Sequence, residues 1–95
     1  MSNQEQRETR AVRAALDTDE QHGAVMPPLV LSTNFTFEAV GKPRRYDYTR
    51  TSNPTRDALA DAIADLEGGA GATVTASGMA AITLACQFLN PGDLV

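Results

Sequence analysis

Two stretches of this chain carry residue types suited to holding an anion. The first runs from Lys42 to Arg56 and contains Arg44, Arg45, Tyr46, Asp47, Tyr48 and Arg50. Its five basic residues against Asp47 alone make it +4, while the remaining three basic and eleven acidic residues leave −8 elsewhere. An arginine two positions from a tyrosine offers a planar fork of donors and a phenolic hydroxyl, which together suit a phosphate or a carboxylate. The second stretch is Thr75-Ala76-Ser77-Gly78-Met79-Ala80-Ala81, where extended chain passes through a small residue and a glycine into a helix. The first N–H groups of a helix have no partner within it, and the helix dipole favours negative charge there. The backbone N–H groups of Gly78 and Met79, with the Ser77 hydroxyl, can therefore cradle a phosphate. Both stretches also have a plainer reading. Ser77 is a good N-cap for any helix, and a basic loop can simply be solvated. A nucleic-acid patch is a third option, weakly supported by one +4 loop on a chain of net charge −4.

Other chemistries are poorly served. The chain has no G-x-G-x-x-G or G-x-x-x-x-G-K-[ST] pattern. Gly68-Gly69-Ala70-Gly71 lies between a helix end and an extended segment, and fits a C-cap and turn. Cys86 is the only cysteine and His22 the only histidine, so no intrachain disulfide and no cysteine- or histidine-built metal site is expected. Asp17, Asp19 and Glu20 before His22 read as a solvated loop. No apolar run approaches the roughly 20 residues that cross a bilayer, and the N-terminus has no apolar signal core. A reducing, cytoplasmic setting follows, with no membrane partner.

The elements that position these residues can be placed. Ninety-five residues, 42% hydrophobic and 21% charged, suit one modest globular unit. Gln4 to Leu16 is rich in helix formers and predicts a short, loosely attached helix. Residues 24–56 carry few helix signals: Pro27-Pro28 forbids a regular helix, and Gly41, Pro43 and Pro54 punctuate the rest. So long an irregular segment commonly wraps something, often a partner subunit. Asn53 as N-cap and Pro54 at the first helical position begin a helix that Gly68-Gly69 ends, with Leu59, Ile63 and Leu66 on one face. Ala72 to Ala76 reads as a short strand. A second helix opens at Ser77-Gly78-Met79 with Ile82, Ala85, Cys86 and Leu89 as its buried stripe, and Leu94-Val95 starts another strand. Helix, strand, helix and the beginning of a strand make a truncated α/β repeat whose strands would be parallel neighbours. The expectation is an N-terminal piece of a longer α/β protein, divided into an arm at 1–53 and the start of an α/β domain at 54–95.

Four groups of residues, in this order and spacing, resemble the cystathionine γ-synthase family of pyridoxal-phosphate (PLP) enzymes of cysteine and methionine metabolism. They are Gly23-Ala24-Val25-Met26-Pro27-Pro28, Tyr48-Thr49-Arg50-Thr51-Ser52-Asn53-Pro54-Thr55, Leu66-Glu67-Gly68-Gly69 and Ala76-Ser77-Gly78-Met79-Ala80-Ala81. The resemblance implies a fold-type I PLP-dependent transferase that is active as a homotetramer, a dimer of dimers. It implies that the arm crosses to a neighbouring subunit, where Tyr48 and Arg50 bind the phosphate of that subunit's pyridoxal 5′-phosphate. Gly78 and Met79 would bind the phosphate within their own subunit, and Asn53 and Pro54 would hold the arm's exit into the helix. Asp19 to Val25, Leu31 to Phe35 and Asp47 before Tyr48 look more like bacterial γ-synthases than like the other members. The implied reaction is γ-replacement, O-succinyl- or O-acetylhomoserine plus cysteine giving cystathionine, a transsulfuration step of methionine biosynthesis. Cystathionine γ-lyase and O-acylhomoserine sulfhydrylase are the alternatives within the family, and an anion- or RNA-binding module is the alternative outside it. Thr51 stands where some γ-synthases carry a second arginine, which leaves the acyl group open.

That chemistry requires a Schiff-base lysine. Lys42 is the only lysine here and sits in the basic loop before Pro43, whereas the family's lysine would lie beyond residue 95. The expectation is that these residues supply parts of a cofactor site but no catalytic residue, and are inactive alone.

Overall fold

A computed structural model describes residues 6–95. Three helices occur in it: α1 (Arg7–Val12), α2 (Pro54–Glu67) and α3 (Gly78–Cys86). The helix expected from Gln4 to Leu16 is shorter than its composition suggested, and Gln4 lies outside the described residues. A six-residue helix is marginal by itself. Beyond Val12 the backbone turns away, with Ala15 at φ 60° and Asp17 at φ 57°. The Asp17 N–H donates to the Val25 carbonyl (3.0 Å), so a contact across the loop takes precedence over helix propensity. Arg10 fastens α1 to the end of α2. Its Nη2 lies 2.8 Å from Asp65 Oδ2 and donates to the Asp65 carbonyl at 2.6 Å.

α2 follows its sequence signals closely. The Asn53 side chain accepts from the Thr55 N–H (2.8 Å), Pro54 occupies the first turn, and Asp57 lies near the positive end of the dipole. At the other end Gly68 takes φ 68°. Gly69 N–H reaches back to the Ala64 carbonyl (2.8 Å) and Gly68 N–H to that of Asp65 (3.3 Å). This is the paired closure that left-handed glycine permits at a helix end.

Residues 24–53 are irregular, as expected, but not formless. Asn34 and Tyr48 form an antiparallel bridge. It is flanked by Phe35 N–H to the Asp47 carbonyl (3.1 Å) and Thr49 N–H to the Thr33 carbonyl (2.9 Å). A second bridge, Ala39 with Lys42, closes the tip around Gly41 at φ 72°.

Two expectations about the second half are corrected. Residues 72–76 form no strand, Ala76 lying in a bend, and none is formed at Leu94-Val95; no strand occurs among the described residues. A strand is defined by the ladder beside it, and these segments have no neighbouring chain to pair with. Nor is the apolar stripe of α3 buried: Ile82 is 59% exposed, and Cys86 and Leu89 are also exposed. On α2 only Ala64 is buried, while Leu59 and Ile63 stay open to solvent. The accessible surface, 8084 Å², compares with about 5,300 Å² for a compact protein of this mass. The radius of gyration, 16.8 Å, compares with about 12 Å for a compact domain of this length. The helices and turns are set by local hydrogen bonds, while most apolar surface lies open.

Candidate functional site

The Tyr48–Arg50 turn is held from several directions, and Asn53 is central to it. Asn53 is 5% exposed. While its Oδ1 caps α2, its Nδ2 donates to the Val30 carbonyl (3.2 Å) and to Thr49 Oγ1 (3.1 Å). Thr55 Oγ1 completes the junction by accepting from the Val30 N–H (2.9 Å). Residues 30, 49 and 53–55 are thereby joined at the start of α2. The Thr49 hydroxyl donates to the Ser32 carbonyl. Thr51 Oγ1 bonds to Asp47 Oδ1 (3.1 Å) and to the Tyr48 carbonyl (2.7 Å).

On the outside of this turn, Arg50 Nη2 donates to Tyr48 Oη (3.2 Å), and the guanidinium carbon lies 5.3 Å from the tyrosine ring centre. Tyr48 is half-buried and Arg50 exposed. Most donors of the guanidinium therefore face solvent beside a phenolic oxygen, a set whose chemistry fits a phosphate dianion.

Tyr46 serves a different purpose. Its ring packs against Phe35 (centroids 5.7 Å apart) beneath the Arg45 guanidinium, and its hydroxyl donates to Asp57 Oδ2 (3.0 Å). Burial, and then the Asp57 carboxylate, push the Tyr46 hydroxyl above the ordinary tyrosine range. Tyr46 thus ties the basic loop to α2.

At α3, Ser77 is the N-cap. Its hydroxyl accepts from the Ala80 N–H (3.1 Å) and its carbonyl from the Ala81 N–H (3.1 Å). The N–H groups of Gly78 and Met79 have no acceptor among the described residues. A Cβ on Gly78 would meet nothing within 4 Å, and both residues are exposed. The plain-cap reading and the anion reading of this turn are compatible, because the cap occupies different N–H groups from those left free. Among the described residues no hydrogen bond connects Gly78 or Met79 with Tyr48 or Arg50. The two anion-binding candidates are therefore not joined to each other by hydrogen bonds among the described residues.

Lys42 is exposed at the hairpin tip. Two clefts flank α2, of about 560 and 580 Å³. The first contains Arg10, Arg45 and Tyr46 facing Asp57, Asp61 and Asp65, and the second lies between residues 18–21, Pro27 to Val30 and Thr55. Neither includes Lys42, Tyr48, Arg50, Gly78 or Met79. Asp19, beside the second cleft, accepts the N–H groups of Ala24 (3.0 Å), Gln21 (3.1 Å) and His22 (3.3 Å). These bonds, that of Ala24 foremost, hold its carboxyl below the usual carboxylate range. Asp19 accordingly serves to fold the loop before His22. Among the described residues no three acidic, histidine or cysteine side chains converge as a metal site. No described helix is long and apolar enough to cross a membrane.

One functional candidate had been counted only as part of the basic cluster. Arg56 Nη2 donates to the carbonyls of Thr49 (2.8 Å) and Arg50 (3.4 Å). The signal for it was present: Arg56 lies in the first turn of α2, where the helix dipole disfavours a cation.

The family profile described as "Cys/Met metabolism PLP-dependent enzyme" matches residues 8–95. The chain is similar to cystathionine gamma-synthase of Escherichia coli (strain K12), 52% identical over 88 residues, covering 92% of this chain and 23% of that protein. It is 36% identical over 85 residues to cystathionine beta-lyase of Lactococcus lactis subsp. cremoris (strain MG1363), covering 90% of this chain and 22% of the relative. Among solved structures, cystathionine gamma synthase from Xanthomonas oryzae pv. oryzae in complex with aminoacrylate and cysteine superposes with a TM-score of 0.87 at 55% identity. That match covers 93% of this chain and 23% of the solved one. The chain thus spans less than a quarter of the length of these proteins.

Proposed function

Because the chain belongs to the Cys/Met metabolism PLP-dependent enzyme family, we propose that it forms part of a cystathionine γ-synthase. The reaction is γ-replacement, an O-acylhomoserine plus cysteine giving cystathionine. The observation that carries the synthase reading is the identity of 52–55% with two γ-synthases against 36% with a β-lyase.

PLP, when bound, supplies an electron sink for bonds made and broken on the amino-acid substrate. This chain's contribution is to hold the cofactor's phosphate. Tyr48 and Arg50 offer a hydroxyl and a guanidinium already adjacent in an externally braced turn, and Gly78 and Met79 offer two free N–H groups at a helix start. The donor set fits a phosphate ester on both sides. In this proposal the arm, 1–53, reaches a neighbouring subunit of a homotetramer, so Tyr48 and Arg50 serve the partner's cofactor while Gly78 and Met79, in the domain beginning at 54, serve their own. The exposure of Arg50 and its separation from both clefts support that division. The covalent attachment of the cofactor and the proton transfers fall to residues beyond these 95, since Lys42 lies at an exposed hairpin tip. A cytoplasmic location belongs to the same reading, supported by the single cysteine.

The test is the full-length protein supplied with O-succinylhomoserine or O-acetylhomoserine together with either cysteine or sulfide, and separately with cystathionine alone. Formation of cystathionine is the expected result. Cleavage of cystathionine without its formation would assign the protein to the lyases, and sulfide consumption in place of cysteine to the sulfhydrylases.

A further inference from the structure

We propose that Arg56 is a positioning residue for the phosphate-binding pair, fixing the backbone of Thr49 and Arg50 so that the Arg50 guanidinium is aimed before the cofactor arrives. The inference rests on the phosphate reading of Tyr48 and Arg50. One nitrogen of Arg56 donates to two successive carbonyls, those of residues 49 and 50. Both carbonyls belong to the turn that carries Arg50, so the guanidinium of α2 spans the backbone on which the phosphate ligand is mounted.

Three further observations separate this from an ordinary surface arginine. Arg56 is half-buried in the first turn of α2, where the dipole opposes a positive charge; its retention there needs a compensating interaction, and the two carbonyls supply one. No carboxylate forms an ion pair with Arg56 among the described residues, so its guanidinium is committed to the backbone of the turn and not to a neighbouring acid. Finally, the helix it projects from is anchored to the rest of the arm through Asn53 and Thr55. Arg56 therefore transmits the position of a fixed helix to an otherwise exposed loop residue.

The experiment measures equilibrium binding of PLP and of pyridoxal, which lacks the phosphate, to the full-length apoprotein. The proteins compared are wild type, Arg50→Ala, Arg56→Ala, Arg56→Lys and the double alanine variant, with thermal melting of each apoprotein alongside. Loss of a well-aimed charge-assisted bond should reduce the preference for PLP over pyridoxal about tenfold in Arg56→Ala. Arg56→Lys, which keeps the charge but has no planar fork, should recover part of that preference. The double variant should match Arg50→Ala, because Arg56 acts through Arg50.

A merely structural arginine would weaken both ligands equally and leave the ratio unchanged, which would overturn the proposal. Additive losses in the double variant would also overturn it, since Arg56 would then bind phosphate independently. If Arg56→Ala fails to fold, the lysine variant decides, and its unfolding too would make the role structural. If Arg50→Ala itself leaves the ratio unchanged, the phosphate reading of the pair fails, a result distinct from failure of the positioning role.

Discussion

Replacing Asn53 by alanine removes three hydrogen bonds from a site that is 5% exposed. The N-cap bond to Thr55 contributes about 1 kcal/mol. The two bonds donated by Nδ2, to the Val30 carbonyl and Thr49 Oγ1, contribute about 1 kcal/mol each. The combined loss is about 3 kcal/mol, an upper figure because the three bonds share one side chain and water can enter the vacated space. In local opening equilibria, 3 kcal/mol is a factor of about 100. Hydrogen exchange in the full-length protein can read this directly at the amides of Val30, Thr49 and Thr55, which bond to Thr55 Oγ1, the Thr33 carbonyl and Asn53 Oδ1. Asn53→Ala should lower protection at all three by up to about 100-fold.

Asn53→Asp separates the two functions of the side chain. An aspartate keeps the acceptor for Thr55 and places negative charge at the helix start, but it cannot donate to Val30 or Thr49. Thr55 should stay protected while Val30 and Thr49 lose protection. If Asn53→Ala changes all three by less than about threefold, the junction is not held by Asn53, and the bracing of the Tyr48–Arg50 turn must come from elsewhere.

Two other perturbations probe the frame around the site. Gly68→Ala should destabilise α2 by about 1 kcal/mol through its backbone conformation, since Gly68 sits at φ +68° and an added Cβ would meet nothing within 4 Å; the midpoint of denaturant unfolding reads this, and an unchanged midpoint would contradict it. For Tyr46, the raised pKa means the folded state retains the phenolic proton more firmly than the unfolded state. Its contribution is fully present below about pH 10 and is lost as the pH rises through the higher, folded value. Tyr46→Phe should cost about 1 kcal/mol near neutrality and flatten the alkaline limb of the stability profile; an alkaline limb of unchanged steepness would show that Asp57 and burial do not set that titration.

What could be read from the sequence divides along the range of the interactions involved. α2 was legible at both ends because Asn53, Pro54 and Gly68 act within one turn of themselves. The start of α3 was legible for the same reason, from Ser77. Residues 72–76 carry strand-forming types, but a strand exists only beside another, and that neighbour is not specified by local pattern. The α3 stripe has the right spacing for burial and nothing here to bury it. α1 was overextended because composition reports what Ala14, Ala15 and Leu16 favour in isolation, not the bond from Asp17 to Val25 that redirects them. At the candidate site, the two-residue spacing of Tyr48 and Arg50 indicated their partnership. The clamp from Arg56 depends on how residues 49–50 fold back over the start of α2, and its only local trace is a cation in an unfavourable place.

The antiparallel bridge between Asn34 and Tyr48 closes the base of the excursion formed by residues 35–47, whose far end is the Ala39–Lys42 turn. The register of Tyr48 is fixed on one side of that base and at α2 on the other, not by the path taken to the tip. Changes of length around Val40 and Gly41 can thus be absorbed without moving the Tyr48–Arg50 turn. For an evolving family the hairpin end is a place where sequence can be added, removed or recruited for new contacts at little expense to the Tyr48–Arg50 turn. The segment from Tyr48 to Arg56 has no such freedom: a single inserted residue would break the spacing on which Asn53, Arg56 and the Tyr48–Arg50 pair all depend.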